Sequence, residues 1–301
     1  ISDLNAPTLA GTTDYITLGY DLFNKGSTIY LGSRYTGLAI LDAANSTAPR
    51  LVRTLGQLTF AQDIAPLDEQ RAYVASHDGL WYVTSASTAM TAHSIWQPTT
   101  TYVDAVAVKD QALYVVGFDK ESFLADLYIF DITNPMAPTY IQTIALNDYY
   151  AGPVTVFGQR LYAASLFNIT VFDIANPTDP QLLGVAATPR DKNIRSLAAN
   201  DANVYAVLSE KLHIFDATQP ATLPLITQYA LNYGNDVTLS QQNAFIAQST
   251  PGLNIVDITN PASPQQRKTL SQYESGFAVA ATEHFAYLGT GARSIDLFPI
   301  D

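Results

Sequence analysis

Short apolar stretches, cut by Gly, Pro, Asn and Asp, run the whole length of the 301-residue chain. No window carries the 3.6-residue period of an amphipathic helix, so strands are the expected elements. One stretch shows the unit plainly, with segments at Asp236–Ser240, Ala244–Gln248, Leu253–Ile258 and Gln266–Leu270. Gln/Asn, Thr-Pro-Gly and Asn-Pro turns separate them. The third segment is apolar throughout, as a strand covered on both faces must be.

This unit recurs. LYIFDITNPMAP at Leu127–Pro138, ITVFDIANPTDP at Ile169–Pro180 and LNIVDITNPASP at Leu253–Pro264 are near copies, and weaker ones begin at Leu38, Leu80, Leu212 and Ile295. Taken as a ruler, the Asp position falls at Asp42, Thr84, Asp131, Asp173, Asp216, Asp257 and Pro299, in steps of 42, 47, 42, 43, 41 and 42 residues. A second marker keeps the same register. Tyr30, Tyr73, Tyr162, Tyr205, Phe245 and Tyr287 stand 11 or 12 residues before the ruler, and Tyr114 stands 17 before it.

Four strands per repeat and seven repeats predict an all-β chain, a seven-bladed β-propeller with four antiparallel strands in each blade. Residues 1–301 are read as one such domain. The last repeat, 276–299, lacks an outer strand, whereas the segment 7–12 reads like that Pro-led strand. Pro7–Thr12 is therefore expected to pair with Ser294–Phe298 and close the ring, leaving no open edge.

The LNIVDITNPASP-type units resemble LVIVD repeats, found in β-propellers of bacterial and archaeal secreted or cell-surface proteins. The resemblance covers essentially the whole chain, with five recognisable copies and two degenerate ones. It implies architecture and an extracellular setting and leaves function open.

Composition narrows the chemistry. There is no Cys, which removes disulfides, thiolate metal sites and a Cys nucleophile. A net charge of −12 argues against nucleic acid as a partner. No apolar run reaches the length of a membrane span, so no direct membrane insertion is expected. Charged residues make up 14% of the chain, against about 25% in an average soluble domain. Thr, Ser, Asn, Gln and 18 Tyr take their place, which favours an extracellular or cell-surface location. The first residues, Ile1-Ser2-Asp3, suggest a removed leader or a trimmed chain.

The ruler Asp belongs to the turn between third and outer strands, where a carboxylate followed by Asn-Pro is expected to cap backbone N–H groups. These turns lie on the face opposite the usual ligand entrance. The other face gathers the loops between second and third strands (B–C) and those entering each inner strand (D–A). Those loops carry Tyr20, Tyr102, Tyr149, Tyr150, Tyr233 and Tyr273, with Asp21, Asp63, Asp104, Asp236 and Arg195 at the channel mouth. Tyr platforms around an acidic mouth suit a sugar or a peptide segment. The mouth carboxylates could hold a Ca2+-like cation, whereas no other metal or cofactor is expected. In the blander alternative the Asp residues bond to backbone or Arg195, and the Tyr rings seal gaps between blades.

The 47-residue step reflects an insertion within Gly117–Asp126, read as a B–C loop about five residues longer than its siblings. Phe118, Asp119, Lys120, Glu121 and Phe123 are expected there as a partner loop, with packing onto the fourth blade as the alternative. No nucleophile elbow, zinc-protease motif or phosphate loop is present. None of His77, His93, His213 and His284 is expected at the channel mouth. The reading is a non-enzymatic propeller that takes a protein or carbohydrate on its Tyr-rich face, or acts as a scaffold subunit within a larger surface assembly. The alternative is a carbohydrate-active enzyme using mouth carboxylates such as Asp104 and Asp236.

Overall fold

The computed structural model describes residues 9, 11–14, 19–33, 35–45, 49–58, 60–85, 91–189, 193–250, 252–270, 275–291 and 294–300. They form seven four-stranded antiparallel sheets, and no helix occurs among them. Blades 1 to 6 follow the chain, at 19–55, 61–96, 101–149, 151–187, 196–230 and 234–270. Strands A to D run from inner to outer edge. Blade 7 takes its strands A to C from Gly276–Ala281, Phe285–Thr290 and Ser294–Pro299, and its outer strand is Gly11–Asp14.

The ring is thus closed by the N-terminal strand, which runs over Gly11–Asp14 where the sequence indicates 7–12. Gly11 pairs with Leu297, Thr12 with Asp296, Thr13 with Ile295 and Asp14 with Ser294. The Thr12 hydroxyl also donates to Asp296 Oδ1 at 2.9 Å. Of the expected strand 7–12, positions 7, 8 and 10 lie outside the described residues.

Apolar packing is divided rather than central. Seven clusters lie between neighbouring blades, such as Leu127, Ile129, Leu161 and Phe172 between blades 3 and 4. Strands B and C are therefore buried on both faces, whereas outer strands such as Thr91–Trp96 face solvent. This explains why the third strand reads as an unbroken apolar run.

The two sequence markers turn out to be parts of one contact on the lower face. The Tyr73 hydroxyl of blade 2 donates to the Pro135 carbonyl in the C–D turn of blade 3, at 2.7 Å. Tyr114 of blade 3 donates likewise to Pro177 of blade 4, at 2.7 Å. Both carbonyls belong to the Asn-Pro of the repeat. Its Asp sets the turn: Asp42, Asp131, Asp173, Asp216 and Asp257 each accept the N–H two residues on, at 2.7–2.9 Å. Blades 3 and 4 thus each offer the Tyr of the preceding blade a turn carbonyl, whereas Tyr30 of blade 1 donates to the Glu69 carbonyl at 3.0 Å.

Blade 3 departs from its siblings. Its inner, second, third and outer strands have 9, 8, 8 and 11 residues, against 6 or 7 in blade 6. The expected long loop is corrected here: the extra residues lengthen the B–C hairpin, leaving only 120–123 as its turn. Two added residues per strand raise the tip by about 7 Å at ~3.3 Å per residue. Gly117 stands at the foot of this extension, where a Cβ would meet the Tyr102 carbonyl oxygen at 2.5 Å.

Candidate functional site

The inner strands start with a register shift in blades 1, 2, 3, 4, 6 and 7. Such a bulge turns one additional side chain toward the mouth. In blades 1, 2 and 6 the residue after it is Asp21, Asp63 and Asp236. Each reaches to the next blade, 43 residues on: Asp21 accepts from Ile64 N–H at 2.9 Å, Asp63 from Val106 N–H at 2.7 Å and Asp236 from Val279 N–H at 2.8 Å. Asp63 and Asp236 also accept the following N–H of their own strands, at 2.9 and 2.8 Å. In blade 5 Ser196 takes the same place, accepting from Val237 N–H at 3.2 Å and donating to Asp236 at 2.6 Å.

These half-buried carboxyls surround a channel cavity of about 500 Å3, which Tyr20, Asp104, Arg195 and Asn235 also line. Burial pushes Asp21 well above the usual carboxylate range, and the charges of Asp63 and Asp236 add to it. Burial raises Asp63 to about 6, against the pull of the Val106 and Ile64 amides. Asp236 is raised by burial, opposed by Ser196 and the Val279 and Val237 amides. Much of this acid is thus ring chemistry, tying inner strands together. Among the described residues, no group of three or more His, Cys, Asp or Glu is placed to hold a metal ion.

Asp104 is different. It is the bulge residue itself, one position ahead of the other three, and Ala105 occupies the ring position. Its carboxylate accepts the Gln62 amide at 2.7 Å and lies 3.7 Å from His77 Nε2. Burial raises it to about 6, with the Gln62 hydrogen bond opposing and Asp63 adding to the shift. His77 was not expected here; it comes from the B–C turn of blade 2.

From His77 a row of rings runs across blades 2 to 4. Phe60 and His77 stack at 5.1 Å, 9° from parallel. His77 meets Tyr102 at 5.1 Å, Tyr102 meets Phe118 at 5.3 Å, Phe118 meets Tyr150 at 5.3 Å, and Tyr150 meets Phe123 at 5.4 Å. Lys120 Nζ lies 4.8 Å from the Tyr102 ring centroid and donates to Thr99 O at 3.0 Å. Phe123, Leu124, Tyr149 and Tyr150 are exposed by 42 to 52% at the far end. Asp119 caps the hairpin tip by accepting from Ser122 N–H at 2.8 Å and Glu121 N–H at 3.1 Å. These bonds hold its carboxyl below the usual range.

The backbone under this row is unusual. Phe60, Phe123 and Tyr150 have φ of 56°, 61° and 52°, and Tyr233 has 60°. A bulky side chain in the left-handed region is an outlier that persists only when its surroundings hold it. Beside Tyr150, Asp148 provides much of that hold. It accepts from Ser165 Oγ, Phe167 N–H, Asn168 Nδ2 and Tyr149 N–H, all at 2.8–2.9 Å. Burial alone would raise its pKa, yet these four donors keep it below the usual carboxylate range.

The sequence model of the LVIVD repeat matches residues 150–188 and 233–269, the fourth and sixth blades from their entry aromatic onward. Two of the seven four-stranded blades match it. The chain is a seven-bladed β-propeller that carries LVIVD repeats. No curated protein matches it. Similar solved structures include the WD40 repeats of RRP9, at TM-score 0.78 and 9% identity, covering 98% of this chain and 99% of that one. The WD40 propeller domain of Doa1 gives 0.76 and 13%, covering 98% and 97%. The computationally designed Ika8 protein gives 0.65 and 9%, covering 98% and 100%. At such identities the likeness concerns fold alone.

The LVIVD propeller thus groups the expected site residues in two sectors. Asp104, Tyr102, Phe118, Phe123, Tyr149 and Tyr150 lie along the row, with Asp119, Lys120 and Glu121 at its rim. Tyr20, Arg195 and Tyr233 lie across the mouth, where Arg195 donates to Asn235 Oδ1 at 3.0 Å and sits 5.2 Å from the Tyr233 centroid. A smaller cavity of about 340 Å3 opens there beside Tyr20, Ile194 and Phe277. Tyr273 lies outside the described residues. Sequence reasoning missed Asp148, His77 and Gln62. Only the Asn-Asp-Tyr-Tyr run hinted at the first, because Asx residues cap turns.

Proposed function

We propose that this LVIVD propeller is a non-enzymatic binding or scaffold protein, working outside the cell or on its surface. It engages a protein or carbohydrate partner with the face formed by the D–A and B–C loops. One observation carries the reading: every aromatic residue with positive φ among the described residues, namely Phe60, Phe123, Tyr150 and Tyr233, stands on this face. Strain held in bulky side chains collects where a surface must be pre-shaped for a ligand. The low share of charged residues, with Thr and Tyr in their place, supports the extracellular setting.

The test offers the immobilised full-length chain to the secreted and envelope fractions of its source cells. A retained species should be lost from the double variant Tyr150→Asn/Tyr233→Asn and kept by Asp131→Asn on the opposite face. Retention that ignores the first variant and fails with the second would overturn the assignment of the face. The second reading, a carbohydrate-active enzyme, draws on the raised pKa of Asp104 beside a cavity. It requires glycan turnover that disappears in Asp104→Asn. Asp236, its expected partner, already accepts from Val237, Val279 and Ser196.

A further inference from the structure

The ring row and the raised hairpin of blade 3 carry a more specific assignment, which rests on the binding reading above. The geometry points to a protein-docking surface built on Phe123, Leu124, Tyr149 and Tyr150, whose partner presents an apolar anchor ringed by Lys or Arg. The four side chains form one exposed knob. Leu124 and Tyr149 are cross-strand neighbours, Tyr150 N–H donates to the Phe123 carbonyl at 2.8 Å, and the Phe123 and Tyr150 rings lie 5.4 Å apart. Exposed aromatics on a rigid support are what protein hot spots are made of, since little side-chain entropy remains to be lost on binding. The support is rigid for stated reasons. Asp148 fixes one side through four hydrogen bonds, and Asp119 closes the hairpin turn on the other.

Three observations choose the occupant. A sugar stacks on an open ring face, but along the row the rings stack and tilt against one another, and Lys120 stands over Tyr102. What the far end offers is a convex apolar knob rather than a row of flat platforms. A second copy of the chain would bring Asp119 and Glu121 toward their own counterparts, on a molecule carrying −12 overall. Like charges facing each other across a contact are unfavourable. At the hairpin tip beside the knob stand Asp119 and Glu121, and the amine of Lys120 between them is held by Thr99 O and the Tyr102 ring. A basic rim on the partner complements that surround.

A phage-displayed library of twelve-residue peptides, selected on the full-length chain, tests this. Enriched sequences should pair Trp, Phe or Leu with Arg or Lys. Synthetic copies should bind wild type at least tenfold more tightly than Phe123→Asn or Tyr150→Asn, with affinity falling as salt rises. Asn tolerates the left-handed backbone, so both variants should keep the wild-type melt while losing the ring. Asp131→Asn should bind as wild type. Neutral or acidic consensus peptides would overturn the assignment, as would equal affinity for the variants. Tyr150-dependent binding of neutral hexasaccharides would replace it with a carbohydrate site, and a Tyr150-dependent dimer in sedimentation would replace it with self-association. Peptides that depend on Tyr20 or Tyr233 instead would sink this surface and leave the binding face standing.

Discussion

The lower face of the ring and the upper edge of blades 2 to 4 use the same residue types in opposite ways. Below, Tyr73 and Tyr114 are fully buried, each spending its hydroxyl on a neighbouring Asn-Pro carbonyl, and the Asp residues cap turns. Above, Tyr149 and Tyr150 are exposed, and Asp63 and Asp104 sit where burial works against their charge. The Asp turn of the lower face recurs in five blades, and none of the described aromatics there has positive φ. The upper arrangement is confined to a few blades and holds bulky rings on left-handed backbone. The difference separates residues kept for stability from residues that stability alone does not account for.

The largest effect expected from breaking the comparison is on the lower face. Tyr114→Ala should cost about 3–5 kcal/mol, the usual loss for a large buried aromatic. Tyr149→Ala, at an exposed position, should stay within about 0.5 kcal/mol in the same denaturant titration. Equal losses would erase the distinction.

Next comes pH. Asp63 and Asp104 bind protons more tightly folded, near 6, than unfolded, near 3.8. Their penalty is complete above about pH 6 and is relieved as pH falls toward 4, so stability should rise over that interval. The expected gain is about 1–3 kcal/mol for the two, reduced from the full linkage value because they border a water-accessible channel. The lower-face Asp131, Asp216 and Asp257 have lowered pKa values, and their contribution is lost as pH falls through those values. Stability should therefore peak in mildly acid solution. Asp63→Asn or Asp104→Asn should flatten the alkaline limb of the profile, and an unchanged limb would contradict the assignment.

A smaller effect concerns the support of the row. Asp148→Ala should lower the melting temperature by a few degrees. It should also raise hydrogen exchange at Tyr149, Tyr150 and Phe167 more than at the lower-face turns. Uniform exchange would show that Asp148 does not act locally.

What was legible in the sequence follows the same division. The blade count and the Asp turns are written locally and repeated, so weak signals reinforce one another, and the ring closure follows from the outer strand that the last repeat lacks. Blade-six strands were placed to within two residues because Asn-Pro and Gln-Asn turns bound them. The site was less legible. Asp104 reads as a fourth member of the Asp21, Asp63 and Asp236 set, yet a bulge shifts it by one position, and one position changes where a strand residue points. The length of the blade 3 hairpin was visible, whereas its conversion into extended strands depends on pairing with 139–149. His77 joins the row only because the blade 2 hairpin tip lies beside Tyr102. Asp148 finds its donors 17 to 20 residues away, in a neighbouring turn. None of these has a repeating signature.

The division between the two faces is tested most directly by thermal melts of Tyr114→Phe and Tyr150→Asn beside wild type. The first removes one hydroxyl and leaves the Pro177 carbonyl unpaired, so its melting temperature should fall by several degrees, for a loss of about 1–3 kcal/mol. The second exchanges ring contacts for relief at a backbone position where Asn is tolerated, and it should melt within about 2 °C of wild type or above it. A fall in Tyr150→Asn as large as that in Tyr114→Phe would show that the upper rings hold the fold together, and the division would be wrong.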